Sequence, residues 1–202
     1  MKEYPSIQAE VVDHTIYAFD KLDGSNIRAE WSRKQGFYKY GKRHGLVDET
    51  DPLLGEAKGL VQATYTEDLN RIFRDLRWDK AVCFFEFFGP NSFAGNHETE
   101  PHKVVLFDVA ANKKGILEPA EFLKTFKSVE TAPLIYHGNP NTTFVEQVRN
   151  GQLDGMTFEG VVCKGKYVSP GRPLMFKVKN IAWIEKVKAK FAGQPDVIER
   201  LL

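Results

Sequence analysis

The stretch TIYAFDKLDGSN, residues 15–26, runs an apolar segment into a polar turn. Thr15–Phe19 is β-branched and aromatic, the composition of a strand. Asp23-Gly24 is a standard turn pair, so the strand should end in a tight turn that carries Lys21. Taken alone, this describes any hairpin end with a solvated lysine. The segments on either side decide whether it is more.

Working outward, Ile27–Ser32 and Phe37–Lys42 predict a hairpin, and Ala81–Phe88, Val104–Ala110, Met156–Cys163 and Leu174–Lys179 predict further strands. A helix is expected over Glu67–Trp78, with Thr66 as N-cap and Leu69, Ile72, Phe73 and Leu76 as its apolar stripe. Pro119 opens a second helix through Phe126, Thr142–Arg149 forms a third, and a last one follows Asn180 and carries Lys186, Lys188 and Lys190. Hairpins dominate and no steady βαβ alternation appears. The pattern predicts an α+β fold, antiparallel sheets flanked by helices, rather than a doubly wound parallel sheet. No glycine-rich phosphate loop is present, so phosphate handling must rest on side chains.

With 202 residues, 42% hydrophobic and 27% charged, the chain has the composition of a folded globular protein. It has no apolar run of the roughly 18–20 residues that a membrane span needs, and no secretory leader. Its two cysteines, Cys83 and Cys163, sit in apolar runs and offer neither a disulfide framework nor zinc spacing. They read as buried small hydrophobes and point to a reducing, cytoplasmic setting. The net charge of +1 is unevenly spread: residues 21–43 hold seven Lys/Arg against two acids, and 161–202 hold nine against three. These stretches either converge on one polyanion-binding face or form ordinary solvated surface.

Several clusters carry chemistry-bearing residues. Lys42-Arg43-His44-Gly45 closes a strand. Glu86 lies among Phe84, Phe85, Phe87 and Phe88, where strand alternation sets it on the side of Phe84 and Phe88. A carboxylate there needs a partner or a solvated face. Phe107-Asp108 lies in a strand that reads as core sheet. Glu159-Gly160-Val161-Val162-Cys163-Lys164 heads a buried strand with an acid and ends it with a lysine. Phe176-Lys177-Val178-Lys179 points both lysines to one face, an unfavourable pairing unless an anion lies between them.

In this order, the clusters resemble the covalent nucleotidyltransferase superfamily of DNA ligases, RNA ligases and mRNA capping enzymes. The K-x-D-G nucleophile element matches Lys21 to Gly24, and the arginine after a short hairpin matches Arg43. The acidic and aromatic strand elements match Glu86 and Phe107-Asp108. The E-G-V-V-x-K and paired-lysine elements match Glu159 to Lys164 and Lys177 with Lys179. Asn26 two residues after the motif glycine, where DNA ligases and capping enzymes usually carry arginine, is similar to the RNA ligase 2 and kinetoplastid editing ligase branch. Members of that branch often have histidine where this chain has Asp23.

The resemblance implies a ligase-type, ATP-grasp-like adenylyltransferase domain spanning 1–202, without an OB-fold and with 181–202 a basic helix and tail. It implies ATP and Mg²⁺ (or Mn²⁺) as cofactors and RNA ends or nicks, possibly in duplex, as substrate. Lys21 would be the nucleophile, activated by Lys177 and Lys179, and Glu159 the metal-holding carboxylate. Asp20, Leu22, Asn26, Arg43, Glu86 and Phe107 would bind the nucleotide, with Asp20 near the adenine edge and Phe107 against its ring. A partner protein could stand in for the C-terminal domain that such enzymes usually carry. The competing readings are a DNA nick ligase, a GTP-dependent capping guanylyltransferase and a nucleotide-binding subunit that no longer seals strands.

Overall fold

The computed structural model describes residues 2–5, 7, 14–43, 45–47, 50–51, 54–90, 92–94 and 97–202. His44 of the predicted strand-end cluster lies outside them. In chain order the elements are β1 (Ile16–Asp20), β2 (Ser25–Ser32), β3 (Gly36–Lys42), α1 (Gly55–Asp75), β4 (Lys80–Phe88), β5 (Lys103–Ala111) and β6 (Gly115–Ile116). They continue with α2 (Pro119–Thr125), β7 (Leu134–Gly138), α3 (Thr142–Arg149), β8 (Gly160–Ser169), β9 (Arg172–Lys179), α4 (Ile181–Lys190) and α5 (Pro195–Leu201).

The strands form two antiparallel sheets, β7-β1-β8-β9 and β3-β2-β4-β5-β6. The period-2 alternation of the first sheet divides its residues cleanly. Ile16, Ala18, Val161, Cys163, Phe176 and Val178 pack under α3 with Phe144 and Val148. Phe19, Val162, Lys164, Lys177 and Lys179 take the opposite face, which looks across a cleft to the second sheet. On that second sheet Ile27, Ala29, Cys83 and Phe85 join the main core with α1, whereas Val82 and Phe84 turn the other way with Phe107 and Tyr4. Glu86 follows Val82 and Phe84 at the same period and also lines the cleft, while Phe88 at the strand end joins the main core cluster.

α3 has the predicted bounds, and α4 starts as predicted after Asn180; Asn141 and Asn180 cap them by accepting from Phe144 N and Ala182 N. The first helix departs from expectation. It begins at Gly55, about three turns before the predicted Thr66 cap, and ends at Asp75. Its buried stripe, Ala57, Val61, Tyr65, Leu69 and Phe73, repeats every fourth residue, so tertiary burial carries the helix through Gly59 and Thr64. Asp51 accepts from Leu54 N at 2.9 Å at its start, and Trp78 N returns to Phe73 O at its end. The strand expected over Met156–Cys163 starts only at Gly160 and runs on to Ser169. β6, β7 and α5 are additional elements.

A buried ion pair ties the sheets together. Lys164 on β8 meets Asp108 on β5 at 2.9 Å, with side chains 2% and 1% exposed. Lys164 also donates to Phe107 O at 2.7 Å and lies over the rings of Phe19, Phe107 and Phe122. Tyr4 donates to the same Asp108 oxygen at 2.5 Å. Removing one partner leaves an uncompensated buried charge. Asp108→Ala should therefore lose about 3–5 kcal/mol of stability, while Lys164→Met with Asp108→Leu should recover most of it. Denaturant unfolding of the two variants and the parent measures both differences.

Candidate active site

Lys21 occupies the crossover between the sheets: β1 ends at Asp20 in one and β2 starts at Ser25 in the other. Two contacts pin this four-residue passage. Lys21 N donates to Gly160 O at 3.0 Å, tying the crossover to the head of β8. A Cβ on Gly24 would stand 2.3 Å from Phe87 O, so only glycine lets the passage lie against β4. Gly160 is similarly constrained, at φ 134° with a Cβ position 2.2 Å from Val178 O. That close approach is what brings Glu159 beside β9.

All ten predicted site residues line one cavity of about 640 Å³ between the sheets. At its centre, Glu159 Oε1 accepts from Lys21 Nζ at 2.8 Å and from Lys179 Nζ at 2.9 Å. Glu159 is buried, and Lys21 is only 22% exposed, far from a solvated turn lysine. Lys179 Nζ also lies 3.8 Å from the centroid of the Trp183 ring. Lys177 stands on the same face of β9 and donates to Leu202 O at 2.6 Å. Arg43 is exposed at the cavity's edge. Phe107 presents its ring from β5, met edge-on by Tyr4 at 5.0 Å. Register sets Asn26 directly opposite Glu86, and buried Asn26 Oδ1 has no hydrogen-bond partner among the described residues.

Two residues do more structural work than the sequence suggested. Asp20 lines the cavity, but both its oxygens are engaged by Thr157, from its N at 3.0 Å and its Oγ1 at 2.9 Å. Leu22 lines the cavity and is packed into the main core. Others went unread. Asp23, buried, accepts from Ala94 N at 2.7 Å and anchors the segment after β4. Tyr4, Pro5, Trp183 and Leu201 also line the cavity. Trp183 sits on a helix face that reads as core, and Tyr4 belongs to no local pattern, so neither carried a signal.

The electrostatics reverse one expectation. Burial alone would pull the Lys21 ammonium down, but Glu159, Glu86 and Asp23 outweigh it and hold Lys21 above the ordinary lysine value. The neighbouring cations therefore do not lower Lys21. They act on each other instead. Burial, with Lys21 close by, lowers Lys177, and burial lowers Lys179 to about 8 against the pull of Glu159. Burial raises Glu86 to about 8, with Lys21 opposing and Glu159 and Asp23 reinforcing the rise.

The donor set suits an adenine nucleotide: an aromatic face, an orphaned buried acceptor beside a carboxylate, and a cationic wall. Among the described residues no cluster of three His, Cys, Asp or Glu could hold a metal ion. A single carboxylate, Glu159, completed by phosphate oxygens and water, is the arrangement a magnesium-like ion commonly uses. The raised value of Glu86 has a consequence for stability. The folded protein keeps a proton on Glu86 that the unfolded chain releases between about pH 4.5 and 8. Its ionisation therefore weakens the fold progressively as pH rises through that window. Glu86→Gln should be more stable than the parent at pH 8.5, by on the order of 1–2 kcal/mol, with the gap closing near pH 4.5. Thermal or urea unfolding across pH measures it.

Similarities to known proteins agree with this geometry. No curated protein matches the chain. Among solved structures it is similar to Naegleria gruberi RNA ligase with PPi, at TM-score 0.67 and 17% identity over 94% of this chain and 58% of that one. It is likewise similar to a mutant of that ligase with AMP and Mn, at TM-score 0.66 and 16% identity over 92% of this chain and 58% of that chain. Another mutant, with ATP and Mn, gives TM-score 0.63 and 18% identity over 86% and 51%. At such identity the likeness is one of fold, and the chain spans between 51% and 58% of the length of these structures. The family model describing RNA ligases matches residues 14–179. By that match, across most of its length, the chain belongs to the RNA ligase family.

Proposed function

We propose that this chain is an ATP-dependent RNA ligase that stores AMP on Lys21. One observation carries the reading: an amine and a cationic wall share a single carboxylate oxygen, Lys21–Glu159–Lys179, with Lys177 beside them in the inter-sheet cavity. Three lysines gathered around one carboxylate in a buried cleft leave cationic groups that an entering polyphosphate would pair with.

In the first step Lys21 Nζ attacks the α-phosphorus of ATP, the bond to pyrophosphate breaks, and a lysyl-AMP phosphoramidate remains. Glu159 Oε1, already 2.8 Å from Nζ, is the group placed to take the ammonium proton. Lys177 and Lys179 oppose the charge that builds on the phosphate oxygens. Glu86 and Asn26 are placed to hold the ribose hydroxyls, Phe107 to face the adenine, and Arg43 to donate to oxygens at the cavity edge. Glu159 is also the carboxylate that would hold Mg²⁺ or Mn²⁺, whose contribution when bound is to neutralise phosphate charge. AMP then passes to a 5′-phosphate of RNA, and a 3′-hydroxyl attacks that activated phosphate and expels AMP.

The test is incubation with labelled ATP or GTP and a divalent cation, then sealing assays on matched RNA and DNA nicks. ATP should label the protein and RNA should be sealed faster. Labelling by GTP instead would make the chain a guanylyltransferase, faster DNA sealing would make it a DNA ligase, and labelling without sealing a subunit that has lost the later steps. Lys21→Ala should give no covalent label while keeping its circular dichroism. Lys177→Ala and Lys179→Ala should each slow labelling by about 10²-fold or more. Arginine at either position should restore only part of the rate, because a planar fork does not replace a compact ammonium. Near-parental labelling of both alanine variants would refute the role of the pair.

A further inference from the structure

The residues after α4 return to the cavity. α5 buries none of its own residues, yet its C-terminal end is firmly placed. Leu201 and Leu202 pack against the cluster of Ala94, Trp183 and Val187. Their main-chain oxygens point the other way, into the cationic wall: Leu201 O accepts from Lys179 Nζ at 2.5 Å and Leu202 O from Lys177 Nζ at 2.6 Å. A helix C-terminus carries partial negative charge and unsatisfied carbonyls, so two such oxygens satisfy two ammonium groups as phosphate oxygens would.

A lysine ammonium has three donor directions. Those of Lys179 are spoken for: Glu159 Oε1 at 2.9 Å, Leu201 O at 2.5 Å, and the Trp183 ring at 3.8 Å from its centroid. No direction is left for an incoming anion while the α5 end is docked. We propose that the C-terminal end of α5 is an intramolecular plug, which a nucleotide's phosphates must displace to reach Lys179 and with which they compete for Lys177. The proposal rests on the cavity being the ATP site. Its release is feasible because α5 fully buries none of its residues, the kind of element that opens locally without global unfolding. The closed form lowers apparent ATP affinity by the fraction of molecules that are open.

The direct test is hydrogen exchange of the amides of residues 195–202 in the parent chain, with and without ATP. ATP should speed their exchange, because Leu202 N→Ile198 O and Ile198 N→Gln194 O, at 2.9 and 3.2 Å, belong to the docked end. Unchanged protection at saturating ATP would overturn the plug. A second test uses Leu202→Ser, which removes an apolar anchor from the cluster around Trp183 and leaves the cavity-lining side chains and every lysine in place. The KM for ATP in the labelling reaction should fall by about tenfold, as for an open form about one-tenth populated, with the maximal rate within about twofold of the parent. A synthetic peptide of residues 194–202 should raise that KM again in competition with ATP. An unchanged or higher KM, or slower labelling, would also overturn it. The outcomes separate the two readings. If ATP loosens α5 but never labels Lys21, the ligase assignment fails and the plug stands; labelling with α5 still protected reverses that result.

Discussion

The buried pair Lys164–Asp108 is the interaction on which the cleft depends. Apolar packing such as that of Phe84 with Met175 draws the facing surfaces of the two sheets together, and apolar packing throughout would close the cavity. A charged pair acts differently. Its desolvation is expensive, and the expense is offset only when both groups are fully engaged at short range. Lys164 achieves this with Asp108, Phe107 O and three aromatic faces, and Asp108 with Lys164 and Tyr4. The pair therefore sets the distance between β5 and β8. Phe107, next to Asp108, and Lys177, two strand positions of alternation across β8 and β9, are brought to face one cavity as a result.

Within that frame the crossover at Lys21 concentrates charge. Three carboxylates and three lysines converge where the sheets diverge, and their balance favours a protonated Lys21. An ammonium is not a nucleophile, so the resting state is quiet. Triphosphate entering beside Lys177 and Lys179 would compete for those cations, and Glu159 would be left with Lys21 as a proton acceptor of suitable reach. In the proposed reaction the same carboxylate would have two uses, bridging Lys21 to Lys179 and accepting the Lys21 proton as phosphate engages the lysine wall.

Much of this was legible in the sequence because the informative residues sit on strands, where alternation fixes the facing side. Lys177 and Lys179 could be assigned to one face from spacing alone, and Glu86 to the side of Phe84. Helices with a clear polar cap, α3 and α4, had the expected start. What stayed hidden depended on contacts far apart in sequence. The first half of α1 is held by burial of Ala57, Val61 and Tyr65 against local residues of low propensity. β7, with no buried residue of its own, pairs with the edge of β1 and shows little periodicity. Tyr4 becomes a cavity residue only because Asp108, 104 positions away, accepts its hydroxyl. α5 earns its place through carbonyl oxygens, which every residue has and no sequence pattern reports.

The charge count also takes a different meaning in three dimensions. Residues 21–43 are a basic stretch in sequence, but Arg28 is buried and donates to Lys2 O and Gly45 O, Lys42 pairs with Asp51, and Arg33 meets Asp79. In the second basic stretch Lys164 is internal, Lys177 and Lys179 face the cavity, Lys186 lies over Phe158, and Lys190 donates to Ser92 O. A good share of the positive charge is thus spent on holding the cleft together or lining it. Long-range attraction for a polyanion would be focused at the cavity between the sheets, where low-dielectric walls strengthen the field, rather than spread along an outer face. Under the proposed function, a nucleic acid end drawn to that field would arrive where Lys21, Lys177 and Lys179 converge, so the interaction that gathers the strand and the one that polarises its phosphate would be the same.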